Sequence, residues 1–169
     1  MRIIAISGSA SEKSSNVELL KAIQSQFSNA YAIEIIDCIR DFPLFRPENL
    51  EDSIPILIQE FKQKILEADA VIICTPEYTH NIPAVLKNAI EWITASGELA
   101  NKKVLPITFT PKEPRGEYAM QSLLNSLKTM NANIITQMPL YKSEVEFDGF
   151  KIKLNDDYIF LIGEGLKLL

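Results

Sequence analysis

The sequence predicts an α/β fold, a doubly wound parallel sheet with helices on both faces, and three observations predict it. Short β-branched runs alternate along the chain with segments of helical periodicity, five of each. One of those runs, residues 70–75, is almost wholly apolar, the pattern of a strand covered on both sides. The 169 residues are enough for one domain of ordinary size, so residues 1–169 are expected to share a single core. Such alternation implies parallel strands joined by helical crossovers.

Residues 2–7 form the first strand, ending at Ser7-Gly8-Ser9, and a helix runs from Asn16 to about Phe27 with Val17, Leu20, Ile23 and Phe27 at helical spacing. Tyr31 to Asp37 is the second strand. After a loop with Pro43 and Pro47, Ser53-Ile54-Pro55 opens a helix, with Ser53 as its cap, Pro55 in its first turn and Ile58, Phe61, Ile65 and Leu66 as its buried stripe. Residues 70–75 are the third strand, and Pro83 starts a helix through Leu86, Ile90 and Ile93. Lys103 to Phe109 is the fourth strand. A polar loop then reaches about Arg115, followed by a helix with Leu123, Leu124, Leu127 and Met130 on one face. Asn133 to Thr136 is the fifth strand. The tail from Asp156 to Leu169 reads as a last helix, although Gly163 and Gly165 each cost about 1 kcal/mol in a helix interior.

Composition narrows the function. A formal charge of −5, a pI near 5.0 and 17 scattered Lys and Arg argue against nucleic acid and anionic membranes as partners. Met1 to Ile6 is too short an apolar run for a signal peptide, no stretch reaches the length of a membrane span, and a cytoplasmic location is expected. Of the two cysteines, Cys38 and Cys74, the latter lies inside an apolar run, where a small buried hydrophobe is the simpler reading than a ligand or a bridge. No metal site is expected.

In doubly wound sheets, ligands bind beyond the carboxyl ends of the strands. The loop after the first strand, Gly8 to Asn16, leads into a helix N-terminus, where free N–H groups favour an anion, and it carries Ser9, Ser11, Lys13, Ser14, Ser15 and Asn16. It has neither the Gly-x-Gly-x-x-Gly of a dinucleotide site nor a Walker lysine. Two readings stand side by side here: a phosphate site, or Ser14 or Ser15 merely capping the helix. The loop after the third strand, Thr75 to Pro83, places Pro76, Glu77, Tyr78 and Thr79 over the same crevice. His80 is the lone histidine and no Gly-x-Ser-x-Gly elbow is present, so hydrolysis is not expected. Asp37 reads as a strand-ending turn residue.

Gly-Ser-x-x-x-x-Ser-x-Asn at 8–16 and Pro-Glu-Tyr-x-x-x-Ile-Pro-x-x-Leu-Lys-Asn-Ala-Ile-Glu-Trp at 76–92 together resemble the NADPH-dependent FMN reductase family, which includes quinone, azo-dye and chromate reductases. The resemblance covers most of the chain and is weakest after Pro139. It implies a flavodoxin-like sheet of order 2-1-3-4-5, bound FMN, NADPH or NADH as electron source, a small-molecule electron acceptor, and a homodimer or homotetramer. It further implies that Ser9, Ser14 and Asn16 hold the FMN phosphate, and that Pro76, Glu77 and Tyr78 line the isoalloxazine ring largely through backbone amides. Three positions depart from the family pattern: Ser11 replaces its usual Arg, Thr79 its usual Asn and Ala84 its usual Gly. Losing that Arg removes a bidentate phosphate partner, for which Lys13 can substitute as a point charge. In the third loop, Thr108 to Gly116, topology puts Thr110 and Arg115 near the flavin's pyrimidine edge. Arg115 either attracts an NADPH phosphate or anionic substrate or is simply solvated. The implied activity needs no catalytic side chain, since the flavin carries the redox chemistry. The alternative is a flavin-binding electron carrier or redox sensor without turnover.

Overall fold

The computed structural model describes residues 1–50 and 54–169, so Ser53, the expected cap of the second helix, lies outside the described residues. At the centre of the sheet are β1 (Arg2–Ser7) and β3 (Ala70–Thr75), buried along almost their whole length and paired in parallel from Ile3↔Ala70 to Ser7↔Cys74. β2 (Ala32–Ile36) flanks β1, and β4 (Lys103–Thr110) flanks β3. The strand order is β2-β1-β3-β4-β5, as expected.

The fifth strand departs from expectation. In place of one run over 133–136, β5 (Asn133–Ile134) and β6 (Met138–Tyr141) lie end to end along the same side of β4. Val104 pairs with Ile134 and Ile107 with Met138, so three steps on β4 face four on its neighbour, the signature of a bulge. Pro106 sits opposite the interruption and has no N–H to give to a ladder, which explains why the pairing breaks there.

α1 (Ser15–Gln26) and α5 (Asp156–Leu168) cover one face of the sheet, burying Leu19, Leu20, Ile23, Ile162 and Leu166 against Ile3, Ala5 and Ile72. α2 (Ile56–Glu67), α3 (Ala84–Thr94) and α4 (Glu117–Thr129) cover the other, with Ile58, Phe61, Leu86, Ile90, Leu123 and Leu127 packed on Ile4, Ile6 and Val71. Pro55 and Pro83 occupy the N-cap positions of α2 and α3, one residue ahead of the first turns to which the sequence assigned them. Leu66 is not part of the α2 stripe: it is 54% exposed. The stripe runs through Ile58, Phe61 and Ile65, and its remaining position is taken by buried Lys62, whose ammonium donates to Ser96 Oγ at 2.6 Å and lies 3.7 Å from Glu98.

Of the two glycines of α5, only Gly165 has a close neighbour, since a Cβ on Gly163 would make ordinary contact with Phe27 at 3.4 Å. A Cβ on Gly165 would stand 2.6 Å from Met138 Cε, the free end of a flexible side chain on β6, which would have to move aside. Between β6 and α5 the chain adds an antiparallel hairpin absent from the expected plan, β7 (Glu146–Asp148) and β8 (Lys151–Lys153), which turns at Gly149 (φ +60°) and lies against α1. No helix among the described residues is long and apolar enough to cross a membrane.

Candidate functional site

The loops that follow β1, β3 and β4 meet in a cleft of about 470 Å³. That size suits a small ligand or cofactor. Ser9, Ser11, Lys13, Ser14, Ser15 and Asn16 form one wall, Pro76, Glu77, Tyr78 and Thr79 a second, and Thr110 and Arg115 a third. The chain thus brings together every residue that the sequence nominated. Four further lining residues were not nominated: His80, Phe109, Pro111 and Lys142. Asp37 lies beyond β2, outside the cleft, and no group of three or more His, Cys, Asp or Glu among the described residues could hold a metal ion.

The first wall is built to donate. Gly8 N–H donates to Cys74 O at 2.8 Å, and a Cβ at Gly8 would stand 2.7 Å from Leu86 Cδ2 and 3.0 Å from Thr75 Oγ1, so the chain leaves β1 pressed against the end of β3. Ser14 is the N-cap of α1, its hydroxyl accepting from Val17 N–H at 3.4 Å, and Ser9 Oγ accepts from Ser11 N–H at 3.2 Å. Both hydroxyls act only as acceptors, which leaves their hydrogens available. The N–H groups of Ser15 and Asn16 have no protein partner among the described residues. A helix start with open amides, spare hydroxyl donors and Lys13 on the same loop is a place for an anion. Capping and anion binding, posed as alternatives from the sequence, are compatible here.

The second wall is closed on itself. Tyr78 N–H donates to Asn81 O and Asn81 N–H to Tyr78 O, both at 2.9 Å. Thr79 and His80 between them have φ of +47° and +56°, the left-handed pair of a type I′ turn. For a β-branched residue such as Thr79 that conformation is strained. Asn81 Oδ1 accepts from Ile82 N–H at 2.8 Å and fixes the exit of the turn. Glu77 faces away toward α4, where its Oε2 accepts from Tyr118 N–H and Ala119 N–H, both at 3.1 Å. The N-cap of α4 is Gly116, which has no side chain to offer, so a carboxylate from another loop does the capping and meets the positive end of the helix dipole. These bonds correct one expectation. Pro76 has no N–H and Tyr78 N–H is committed within the turn, so the amides left to a ligand here are those of Glu77, Thr79 and His80.

His80 stacks on Tyr118 with ring centroids 4.4 Å apart and planes within 3°. The third wall is held by Thr110 Oγ1 donating to Arg115 O at 2.7 Å, and by Ser143 N–H donating to Pro111 O at 3.1 Å. The latter bond ties the loop after β6 to the cleft and brings in Lys142, whose ammonium lies 6.0 Å from the centre of the Phe109 ring. With Lys13 and Arg115, Lys142 makes a third cation around the opening.

Comparison with known proteins bears on this site. Residues 1–144 match the family model described as NADPH-dependent FMN reductase. The NADH:(hydroxy)cinnamate reductase subunit CrdA of Vibrio ruber is 43% identical over 106 residues, covering 62% of this chain and 52% of that protein. The NADH-dependent flavin reductase subunit 2 of Lactobacillus johnsonii is 40% identical over 105 residues, covering 62% of this chain and 54% of that protein. The chain therefore spans about half the length of these curated relatives. Among solved structures, the flavoenzyme NAD(P)H:(acceptor) oxidoreductase FerB of Paracoccus denitrificans shares the fold, with a TM-score of 0.84 and 22% identity over 99% of this chain and 94% of that one.

Proposed function

The chain belongs to the NADPH-dependent FMN reductase family, and from that premise we propose that it is an FMN-dependent NAD(P)H oxidoreductase that delivers electrons to a small acceptor such as a quinone, free flavin, azo compound or metal oxyanion. One observation carries the reading: a donor-rich helix start and a rigid, self-bonded turn face each other across a single cleft. The donor set fits FMN. A phosphate bears about −1.5 to −2 charges at neutral pH, and the first wall offers it amides, hydroxyls and Lys13 with no carboxylate among the nominated residues of that wall. The one carboxylate of the second wall, Glu77, is turned to α4.

Bound FMN supplies hydride acceptance and electron transfer, so no side chain is asked to be an acid or base. The work of this chain is positional. Ser9, Ser14 and Asn16 bind the phosphate end, the 76–79 turn supports the ring, and Thr110 and Arg115 border the side from which an anionic co-substrate would approach. With Arg replaced by Ser11, Lys13 carries the charge on that loop, and Lys142 adds a cation that the family motif does not include. The two relatives' names print NADH and the family's description NADPH, which supports one or the other as the donor. A cytoplasmic homodimer or homotetramer completes the proposal.

The test is to mix the purified protein with FMN, NADPH and a quinone under air. Continuous NADPH loss at catalytic protein concentration supports a reductase. A single stoichiometric bleaching of flavin without sustained NADPH loss identifies an electron carrier or sensor instead.

A further inference from the structure

Beneath the first wall lies a polar contact that the activity as described does not use. Cys74, next to last in β3, lies on the face of the sheet covered by α1, and its Sγ stands 3.2 Å from Oδ1 of Asn16 in the first turn of that helix, 58 residues away in sequence. Both side chains are buried, with exposures of 0% and 2%. The expectation of Cys74 as a small hydrophobe therefore describes its volume but not its bonding.

A side-chain amide has two unlike ends, a carbonyl that accepts and an NH₂ that donates twice. Whichever end is held from below, the other is offered to the cleft that Asn16 lines. Burial pushes the Cys74 thiol well above its ordinary range, so the sulfur keeps its hydrogen and acts toward Asn16 as a donor. The end it selects is the carbonyl. Asn16 Nδ2 has no protein partner among the described residues, yet the buried side-chain polar atoms found without partners are Ser7 Oγ and Thr108 Oγ1. The NH₂ group is consequently not sealed in, and Asn16 is one of the residues that line the cleft.

We propose that Cys74 is a positioning residue: by donating its S–H to Asn16 Oδ1, it holds the amide with both N–H donors facing the anionic end of the ligand. The inference rests on the reading that FMN puts its phosphate at this loop. Turned over, the same amide would aim a carbonyl oxygen at a dianion. Cys74 thus decides the sign of the dipole that Asn16 shows to the ligand without touching the ligand itself.

The experiment compares FMN with riboflavin, which shares the ring and lacks the phosphate, by titrating each into wild type, Cys74→Val, Cys74→Ala and Cys74→Ser and following flavin fluorescence. Val and Ala both remove the donor, one without leaving a cavity and one without overpacking, so a packing fault in either does not decide the result. Loss of the donor should weaken FMN by about three- to tenfold and leave riboflavin within about twofold. Cys74→Ser, which keeps a donor, should recover most of the FMN affinity. In an Asn16→Ala background, Cys74→Val should change FMN affinity no further. Equal weakening of both flavins, or an undiminished effect of Cys74→Val without Asn16, would overturn the role of Cys74 alone. Wild-type protein that bound neither flavin would instead overturn the FMN reading, and this inference with it.

Discussion

The two main walls of the cleft are finished to different degrees. In the loop after β1, backbone amides and hydroxyl hydrogens stand open at a helix start, and Lys13 is unpaired among the described ion pairs. In the turn after β3, the backbone bonds back to itself, Asn81 fixes the exit, and Glu77 is bound to α4. A surface meant to grip a charge must leave donors unsatisfied until the ligand arrives, whereas a surface meant to support a flat ring must hold its shape beforehand. The first wall should therefore be sensitive to changes in hydrogen-bonding groups, and the second to changes in backbone conformation.

The largest expected effect attacks the shape of the second wall. Thr79→Pro demands a φ near −65° where the turn has +47°, so the paired bonds between Tyr78 and Asn81 cannot persist. FMN and riboflavin should both lose about 100-fold or more in affinity, measured by fluorescence titration, because both need the same shelf. A variant that lost FMN but kept riboflavin would show that the turn serves the phosphate and would erase the contrast between the walls.

Next in size is Asn16→Ala, which removes a donor from the open wall. FMN should weaken by about 1.5–3 kcal/mol, the range for a hydrogen bond to a charged group, while riboflavin changes little. Raising the salt should reproduce part of this selectivity, since screening acts on Lys13, Arg115 and Lys142 and riboflavin has no phosphate for them to attract. Equal losses for the two flavins would place the phosphate elsewhere.

The difference between the walls also accounts for what the sequence revealed. Open donors are local: Ser9, Ser14 and Asn16 stand within one loop before one helix, where the residues alone leave an anion site and a simple helix cap side by side and the family resemblance points to the anion. The alternation of strands and helices likewise depends on neighbours a few residues apart and implies the parallel sheet, whereas the order of its strands comes from the family resemblance. Closure of the second wall depends on distant pairs. Glu77 meets amides 41 and 42 residues further on, and nothing near Glu77 announces a helix without a capping side chain. Lys142 follows β6, and nothing local announces β6, because the bulge opposite Pro106 splits a strand whose own residues, 133–136, read as ending early. The β7–β8 hairpin did leave a local sign, Gly149 at the first position of the two-residue loop between Asp148 and Lys151, where a tight turn of the II′ kind calls for glycine. In α2, the apolar Leu66 and charged Lys62 exchange expected places because a partner at 98 satisfies the lysine.

A smaller effect tests the link between the second wall and α4. Glu77→Gln keeps an oxygen to accept from Tyr118 and Ala119 but removes the charge that meets the helix dipole. Stability should fall by about 0.5–1 kcal/mol, and Tm by about 1–4 °C, in a thermal melt of the flavin-free protein. Glu77→Ala, which removes the acceptor altogether, should lose about 1–2 kcal/mol. If neither variant lowered Tm, the carboxylate would not be bracing α4, and the turn would owe its rigidity to its own backbone bonds alone.

The smallest effect is expected at His80, and its smallness is the point. His80 lines the cleft and is the lone imidazole in the chain, so any side-chain acid–base chemistry of the histidine kind would have to come from it. Its φ of +56° and its stacking on Tyr118 assign it instead to the architecture of the turn. His80→Asn removes the imidazole while substituting a residue that tolerates the left-handed region, so the turn should keep its shape. With flavin saturating, NADPH-dependent turnover of a quinone should remain within about tenfold of wild type, and its pH profile between about 5 and 8, where an imidazole ordinarily titrates, should keep its form. General acid–base groups contribute about 10²- to 10⁴-fold, so a fall of a thousandfold together with a lost pH limb would make His80 a proton carrier. The second wall would then supply chemistry as well as shape.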